Sequence, residues 1–176
     1  MIVITGASAT GKSVAAKGLE QYGFKKAITT TTRLPREGEV DGVDYFFISK
    51  DEFLQRLKDN KLVEYTLYND NYYGCGVDQV SNDKVIVTDP NGLHAFKKLN
   101  KENLVTFLLL CDDETREKRM INRGDKPDKV IERLTNDKKD FDRKVIGEVD
   151  FEIETNKLSK QETVDLIYKL YQSKVK

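Results

Sequence analysis

The feature that most constrains this chain is a glycine-rich segment that joins an apolar run to a helix-forming segment. Residues 6–13 read Gly-Ala-Ser-Ala-Thr-Gly-Lys-Ser and follow the run Ile2-Val3-Ile4-Thr5. The segment fits G-x-x-x-x-G-K-[ST], in which the flanking glycines let the backbone curl so that several N–H groups point inward at a phosphate. The next residues, Val14-Ala15-Ala16-Lys17, predict a helix whose positive N-terminus faces the same anion. The sequence therefore predicts a strand, a surface-exposed phosphate loop and a helix.

This loop predicts a binding site for the phosphates of ATP or GTP. Lys12 can reach the β- and γ-phosphates, and the Ser13 hydroxyl can join the shell of a Mg²⁺ ion. Asp89 follows a second apolar run, Val85-Ile86-Val87-Thr88, and a carboxylate at the end of such a strand suits the same Mg²⁺. The alternative for Asp89 is a plain turn, since Asp89-Pro90-Asn91-Gly92 is rich in turn formers. The predicted ATP-binding residues are Gly6, Ala7, Ser8, Ala9, Thr10, Gly11, Lys12 and Ser13.

Short apolar runs alternate along the chain with segments of helical periodicity. The runs at 2–4, 85–87 and 105–110 are typical of strands buried on both faces, as in parallel sheets, and 151–153 is a weaker candidate. Amphipathic segments lie between them. This alternation predicts an α/β fold in which helices flank a parallel sheet through right-handed crossovers.

Two segments open with the capping-box pattern that marks a helix N-terminus. Ser49 precedes Glu52 by three residues, and Ser159 precedes Glu162 in the same way. The core-facing residues predicted for these helices are Phe53, Leu54 and Leu57 in the first and Val164, Ile167, Tyr168 and Tyr171 in the second.

Two other segments depart from the alternation. Residues 31 to about 83 are rich in Tyr, Gly and Asp, and they predict a small mixed excursion from the main sheet. Thirteen of the twenty residues 125–144 are charged, and only Val130, Ile131, Leu134 and Phe141 are apolar. A helix with so thin an apolar stripe cannot be central to a core. We expect a solvated hairpin or a mobile flap there.

Composition places the chain among globular proteins whose charges balance. Its 176 residues correspond to about one domain, 38% are apolar, and thirty basic residues match thirty acidic ones. This balance gives no argument for nucleic acid or an acidic membrane as partner, so any anion site must be local. Cys75 and Cys111 do not make a disulfide framework, and no apolar run approaches the ~20 residues that span a bilayer. A cytoplasmic protein is expected, and its oligomeric state stays open.

An arginine pair marks a second candidate anion site. Pro35 restricts Leu34 to extended or polyproline geometry, which has about three residues per turn. Arg33 and Arg36 are therefore predicted to project to the same side as a two-pronged clamp. The alternative is an ordinary solvated loop.

Longer stretches of the sequence resemble the guanylate kinase family. The first is Thr31-Thr32-Arg33-x-Pro35-Arg36-x-Gly38-Glu39-Val40-Asp41-Gly42-x-Asp44-Tyr45-x-Phe47, and the second is Asn71-Tyr72-Tyr73-Gly74. The spacing from Tyr45 to Glu64 to Tyr73 also agrees. Together with the loop at 6–13, Asp89-x-x-Gly92 and Arg123-Gly124, the resemblance covers nearly the whole chain.

The resemblance implies an architecture and an activity. The expected fold is a P-loop NTPase core, a small mixed α/β domain that binds a nucleoside monophosphate, and a helical lid. Over 1–176 the core is expected at about 1–30, 84–122 and 145–176, the small domain at about 31–83, and the lid at about 123–144. The implied activity is phosphoryl transfer from ATP to GMP with Mg²⁺.

The resemblance also implies roles for individual residues. Arg33, Arg36, Tyr45 and Tyr73 would hold the acceptor phosphate, and Glu64 would accept hydrogen bonds from guanine. The implied catalytic residues are Lys12, Arg33, Arg123 and Arg133, with Arg119 either assisting or serving as ordinary surface charge. The implied GMP-binding residues are Thr29, Arg33, Arg36, Tyr45, Glu64, Tyr73 and Cys75, and the implied metal ligands are Ser13 and Asp89.

Four positions depart from the family pattern. Thr29 and Cys75 stand where serine is usual, Val87 stands where an aspartate is usual, and Ala9 lies where a second loop glycine is common. Cys75 offers only a weak donor and Val87 offers none. One open alternative is therefore a related kinase for another phosphorylated nucleoside or sugar. The other is a non-catalytic guanylate-kinase-like binding module, against which the intact phosphate loop argues.

Overall fold

Two separate sheets and their helices make up the computed structural model, which describes residues 1–175. The strands are β1 Ile2–Thr5, β2 Lys25–Lys26, β3 Thr30–Thr31, β4 Phe46–Phe47, β5 Leu62–Tyr68, β6 Asn71–Gly76, β7 Lys84–Val87, β8 Val105–Leu110 and β9 Phe151–Glu154. The helices are α1 Lys12–Gly18, α2 Lys50–Lys58, α3 Pro90–Lys98, α4 Asp113–Asn122, α5 Pro127–Asp140, α6 Arg143–Ile146 and α7 Lys160–Lys174, with 3₁₀ turns at Leu19–Tyr22 and Val77–Gln79. Lys176, the last residue of the predicted core, lies outside the described residues.

The larger sheet is parallel and has the order β2-β7-β1-β8-β9. Its central strand β1 is buried on both faces: Ile2 and Ile4 pack with α1 and α7, while Val3 packs with α3. Alternate residues of a strand point to opposite faces, so three successive apolar residues supply both halves of the core. The four predicted strands and the α/β layering are confirmed.

Helix α7 covers one face of this sheet and begins as its sequence indicates. Ser159 and Glu162 form the reciprocal capping box, and the predicted stripe is buried at Val164, Ile167 and Tyr171. The other predicted capping box is half formed, since the Ser49 hydroxyl accepts from the Glu52 amide while the Glu52 carboxylate pairs with Arg56.

The smaller sheet is mixed and has the order β4-β3-β6-β5. Its β5–β6 hairpin turns at Asn69 and Asp70, which both have positive φ and belong to the residue types that tolerate it. Phe53 of α2 is fully buried beneath this sheet and stacks on Tyr72 at a ring-centroid distance of 5.1 Å. The prediction that Leu54 also faces the core is wrong: it is 39% exposed, because adjacent residues of a helix point about 100° apart.

The charged segment 125–144 forms helix α5 and the short helix α6. Val130 is buried, but the neighbouring Ile131 is 65% exposed, as the thin apolar stripe indicates. The main packing partners of α5 among the described elements are α4 and α6. Its expected mobility stays a prediction. Within residues 1–175, no helix combines the length and the apolar character needed to cross a bilayer.

Phe53 is expected to carry much of the stability of the smaller sheet. Phe53→Ala should lower the free energy of unfolding by about 3–5 kcal/mol, because it leaves a cavity beneath Tyr72. Leu54→Ala is the matched control, and its loss should be well under half of that. Chemical denaturation of both variants measures the difference. Equal losses would contradict the assignment of Phe53 as the residue that anchors α2 to the sheet.

Candidate active site

The phosphate loop leaves β1 in a conformation that requires glycine at both ends. Gly6 has φ +146°, and a Cβ there would lie 2.5 Å from the Leu109 carbonyl oxygen of β8. Gly11 has φ +98° at the N-terminus of α1. Gly6 and Thr10 are buried and the rest of the curl is half-buried, with only Ser13 exposed. The expectation of a surface-exposed loop is therefore wrong, because β8 and α4 lie against the loop.

Five successive carbonyl groups of the loop are held by hydrogen bonds from side chains. The Lys12 Nζ donates to Gly6 O and Ala7 O at 2.6 and 2.7 Å. The donors to the next three carbonyls come from other parts of the chain: Arg116 Nε to Ser8 O at 2.8 Å, Arg119 to Ala9 O at 3.1 Å, and Thr155 Oγ1 to Thr10 O at 2.9 Å. With their carbonyls fixed, the peptide planes have little freedom to rotate.

Several amide groups of the same loop are left for a ligand. Within residues 1–175, the N–H groups of Ala9, Gly11, Lys12 and Ser13 have no protein acceptor. They lie at the positive N-terminus of α1, which has no side-chain cap. An anion with several acceptor oxygens satisfies such a set, as predicted from the sequence.

The loop lysine has an altered proton affinity. Burial lowers the pKa of Lys12 to about 8, Asp137 partly opposes this shift, and the positive charges of Arg116 and Arg123 add to it. A nearby phosphate would favour the charged form of Lys12 and raise its pKa again. Lys12 is thus an ammonium group whose charge is incompletely compensated without an anion.

Asp89 follows β7 and caps helix α3. Its Oδ1 accepts from the Gly92 amide at 2.8 Å, so the predicted turn is the first turn of this helix. The charge of Asp89 also reaches Glu64 of β5, whose pKa it helps to raise. No group of three or more His, Cys, Asp or Glu residues among the described positions could hold a metal ion by itself. A Mg²⁺ ion would have to share its shell with a phosphate ligand.

The arginine of the predicted clamp is already paired. Arg33 makes a bidentate ion pair with Glu39, with N–O distances of 2.8 and 2.9 Å. Its guanidinium lies 5.4 Å from the ring centroid of Tyr45, and the rings of Tyr45 and Tyr73 are 6.2 Å apart. Hydrogen bonds from Arg33 and from the Arg36 backbone lower the pKa of Glu39 to about 2. Three of the four residues predicted to hold the acceptor phosphate are therefore neighbours.

Glu39 links the two arginines of this clamp. Its Oε2 accepts from the Arg36 amide at 2.7 Å, and within residues 1–175 no carboxylate forms an ion pair with the exposed Arg36 side chain. Glu39 stands in the segment that resembles the guanylate kinase family, but the resemblance implied no role for it. The signal was available, because a carboxylate six residues from Arg33 faces it across the tight turn at Gly38.

Glu64 and Cys75 lie opposite each other on β5 and β6. Burial is the main reason that the pKa of Glu64 is raised to about 7, and the charge of Asp89 adds to it. Cys75 is fully buried, its thiol pKa is raised to about 12 by burial, and its Sγ donates to Gly76 O at 3.7 Å. Thr29 is half-buried, and its carbonyl accepts from the Phe46 amide. The Cys75 thiol is therefore engaged within the protein.

The two predicted lid arginines meet at one carboxylate. Asp125 accepts two hydrogen bonds from Arg123, at 2.9 and 2.6 Å, and one from Arg133. Arg123 also lies near enough to Lys12 to lower its pKa. The loop between α4 and α5 therefore brings Arg123 and Arg133 together.

Two further arginines, both on α4, donate hydrogen bonds to carbonyl groups of the loop. Arg119 donates to Ala9 O and to the Thr155 carbonyl, so the expectation of ordinary surface charge is wrong. Arg116 is 4% exposed and was not singled out. The available signal was spacing, because residues three apart on a helix share a face.

The fold and this site together define a phosphate-loop α/β protein that binds nucleotides. A family model described as guanylate kinase matches residues 1–165. The chain is 38% identical to the guanylate kinase of Bacillus subtilis over 141 residues, 75% of this chain and 69% of that protein, and 33% identical to that of Listeria innocua over 170 residues, 91% and 82%. A solved guanylate kinase from Anaplasma phagocytophilum has the same fold, with a TM-score of 0.63 at 22% identity, covering 100% of this chain and 86% of that one. The chain belongs to the guanylate kinase family.

Ala9 carries a cost that glycine would remove. Its φ of +61° is in the left-handed region, where a Cβ is unfavourable. Ala9→Gly should therefore raise the free energy of unfolding by about 1 kcal/mol. Ala15→Gly, inside α1, is the control and should lower it by about the same amount. Denaturation curves measure both, and a destabilised Ala9→Gly variant would contradict the role given to the loop backbone.

Proposed function

We propose that this chain transfers the γ-phosphoryl group of ATP to GMP, giving ADP and GDP. Membership of the guanylate kinase family supports this activity. The observation that carries it is that the phosphate loop and a second cluster both adjoin the carboxyl edge of the parallel sheet. The loop follows β1; of the second cluster, Glu64 lies within reach of the charge of Asp89 after β7, and the Tyr45 ring lies 6.0 Å from Lys26 Nζ at the end of β2. The first would hold the donor and the second the acceptor.

The topology supports this pairing of the two sites. The phosphate loop follows β1, and Asp89 follows the adjacent strand β7, so both lie at the carboxyl ends of parallel strands. Ligands of open α/β sheets bind at this edge. The strand that bears Glu64 packs against α3, the helix that Asp89 caps. An acceptor held by Glu64 would therefore approach the phosphate loop.

The chemistry requires alignment and charge neutralisation rather than a general base. The acceptor phosphate of GMP is already an anion near neutral pH, so the protein needs to place it in line with the γ-phosphoryl group. Lys12 and the loop amides would stabilise the charge on the transferring group, and Arg123 and Arg133 would add to it from the lid. Arg33, Arg36, Tyr45 and Tyr73 would hold the acceptor phosphate.

The arginines would reach phosphate by exchanging one anion for another. Arg33 is paired with Glu39, and Arg123 and Arg133 are paired with Asp125. Each carboxylate restrains its arginine before a ligand arrives. Phosphate recognition would then need little further ordering of these long side chains.

Glu64 would select guanine. Its carboxylate can accept from both N1–H and the N2 amino group, whereas adenine would place a lone pair against it. Thr29 retains a hydroxyl near the base, but the Cys75 thiol is engaged by Gly76 O. Recognition of the base would therefore depend on Glu64 more heavily than on its neighbours.

Mg²⁺ fits the donor side of this site. The exposed Ser13 hydroxyl follows Lys12 directly, and the second oxygen of Asp89 is not used by the helix cap. One or two protein oxygens completed by phosphate oxygens and water make the usual Mg²⁺ shell. When bound, the ion would neutralise charge on the phosphates, and Ser13 and Asp89 would be its protein ligands.

We also propose that the chain divides into a core, a domain that binds the monophosphate, and a lid. Residues of about 1–30, 84–122 and 145–176 would form the core, about 31–83 the domain that binds the monophosphate, and about 123–144 the lid. The separate sheet formed by β3–β6 supports the second assignment. The helical segment that carries Arg133 supports the third.

A second candidate acceptor is another phosphorylated nucleoside or a sugar phosphate. The observation that favours it is that Val87 and Cys75 leave few groups free to recognise guanine. Release of ADP from ATP, measured with GMP, AMP and ribose 5-phosphate as acceptors, tests both candidates. The main proposal expects turnover with GMP to exceed the other two by at least about 10³-fold. Faster turnover with another acceptor would establish the second candidate.

Lys12 should be essential for turnover. Lys12→Ala removes a positive charge from the transferring phosphoryl group and should lower kcat by roughly 10³-fold or more. Lys17→Ala on the exposed face of α1 is the control and should keep wild-type turnover. Both are compared by ADP release at saturating GMP after thermal unfolding has shown that they are folded. Wild-type turnover in Lys12→Ala would refute the proposed mechanism.

Glu64 should make GMP binding sensitive to pH. Because its pKa is raised to about 7, the carboxylate is present above that pH and is lost as pH falls through it. The KM for GMP should therefore rise about tenfold between pH 8 and pH 6. Glu64→Gln should show a high KM with a flatter pH dependence, and Glu102→Gln, at an exposed position, should behave as wild type. An unchanged KM in Glu64→Gln would mean that guanine is not read at this residue.

A further inference from the structure

A buried ion pair joins the lid helix to the wall of the phosphate loop. Asp137 of α5 and Arg116 of α4 pair directly, and they are 9% and 4% exposed. Charges this deeply buried are unusual on helices that are otherwise solvated. Neither residue is among those assigned to contact ATP, GMP or Mg²⁺.

The pair engages both backbone groups of a single loop residue. Asp137 Oδ2 accepts from the Ser8 amide at 2.9 Å, and its Oδ1 accepts from the Ser8 hydroxyl at 3.4 Å. Arg116 Nε donates to the Ser8 carbonyl at 2.8 Å. A third contact, from Arg116 to Asp113 at 2.9 Å, keeps the guanidinium on α4.

Among the loop residues, Ser8 is the one through which these contacts can most affect the amides that bind an anion. It lies between the restrained Gly6 and the left-handed Ala9, immediately before the amides that are free to bind an anion. Its own amide is occupied by the carboxylate of Asp137, so it is not available to an anion. A shift of α5 would displace Asp137, and through it the peptide planes on both sides of Ser8.

A purely stabilising role is a poor account of this pair. A buried ion pair can often be replaced by apolar side chains without loss of stability, because desolvation offsets the attraction between the charges. Ionic pairs do serve to specify one arrangement, since they tolerate little displacement. The contacts of the pair with Ser8 therefore account for it better than a contribution to stability does.

We propose that Asp137 is a positioning residue for ATP: held by Arg116, its carboxylate fixes Ser8 and so couples the lid helix to the phosphate loop. The assignment of ATP as the ligand rests on the proposed function. The coupling acts in both directions, because any linkage between two sites is reciprocal. Binding of a ligand to the loop therefore also affects α5, the helix that carries Arg133.

Single substitutions of Asp137 should change the KM for ATP, the donor, without changing the KM for GMP, the acceptor. Asp137→Ala should raise the KM for ATP about tenfold, because the loop amides lose their fixed position. Asp137→Asn should show a smaller rise, since its amide oxygen can still accept from Ser8. The KM for GMP should stay within about twofold of wild type in both. Asp140→Ala, an exposed change on the same helix, is the matched control.

A double substitution separates positioning from packing. Arg116→Met combined with Asp137→Leu fills the same space with apolar side chains, so it is expected to fold and to keep α4 packed against α5. It also removes every hydrogen bond to Ser8. The defect in ATP binding should persist in this variant, and it supplies the answer if Asp137→Ala fails to fold.

Two binding measurements test the proposal without relying on turnover. Calorimetry with a non-hydrolysable ATP analogue gives its Kd, and hydrogen exchange of residues 127–140 with and without the analogue reports the coupling. We expect the analogue to slow exchange in α5 of the wild type and of Asp140→Ala, and to have no effect there in the double variant. Wild-type affinity in the double variant, or an equal exchange response, would overturn the proposal. Failure of the wild type to phosphorylate GMP would instead contradict the proposed function alone.

Discussion

The rest of the site depends on the side-chain hydrogen bonds that direct the carbonyl groups of the phosphate loop away from the ligand. A peptide plane that presents its N–H to a ligand must direct its carbonyl away, and a buried carbonyl needs a donor. Here the donors come from distant segments: Arg116 and Arg119 from α4, and Thr155 from the end of β9. The parallel sheet brings those segments to one edge, so the fold and the anion site form together.

Electrostatics at this site is local, since the chain as a whole is neutral. Without nucleotide, Arg33 is held by Glu39, and Arg123 shares Asp125 with Arg133. Among residues 1–175, Lys12 has only carbonyl oxygens as direct partners, and burial lowers its pKa. The positive charge of Lys12 is therefore available at the loop, where phosphates that carry most of the negative charge would bind.

The sequence was sufficient for what depends on local pattern and insufficient for what depends on long-range contact. Buried strands and the cap at Ser159 were predicted, because periodicity and capping act over a few residues. The loop residues Gly6 to Ser13 followed from spacing alone. The pairing of Asp137 with Arg116 could not be predicted, since it joins two helices whose packing no local pattern specifies. Leu54 was misassigned for a similar reason: periodicity gave its helix face only to within one residue.

Backbone amide chemical shifts on addition of ADP measure, residue by residue, which amides of the loop bind phosphate. The amides of Ala9, Gly11, Lys12 and Ser13 should shift strongly, because they have no protein acceptor within residues 1–175. The Ser8 amide should shift least in the loop, since Asp137 already holds it. A strong shift at Ser8, or small shifts at the four free amides, would contradict the account.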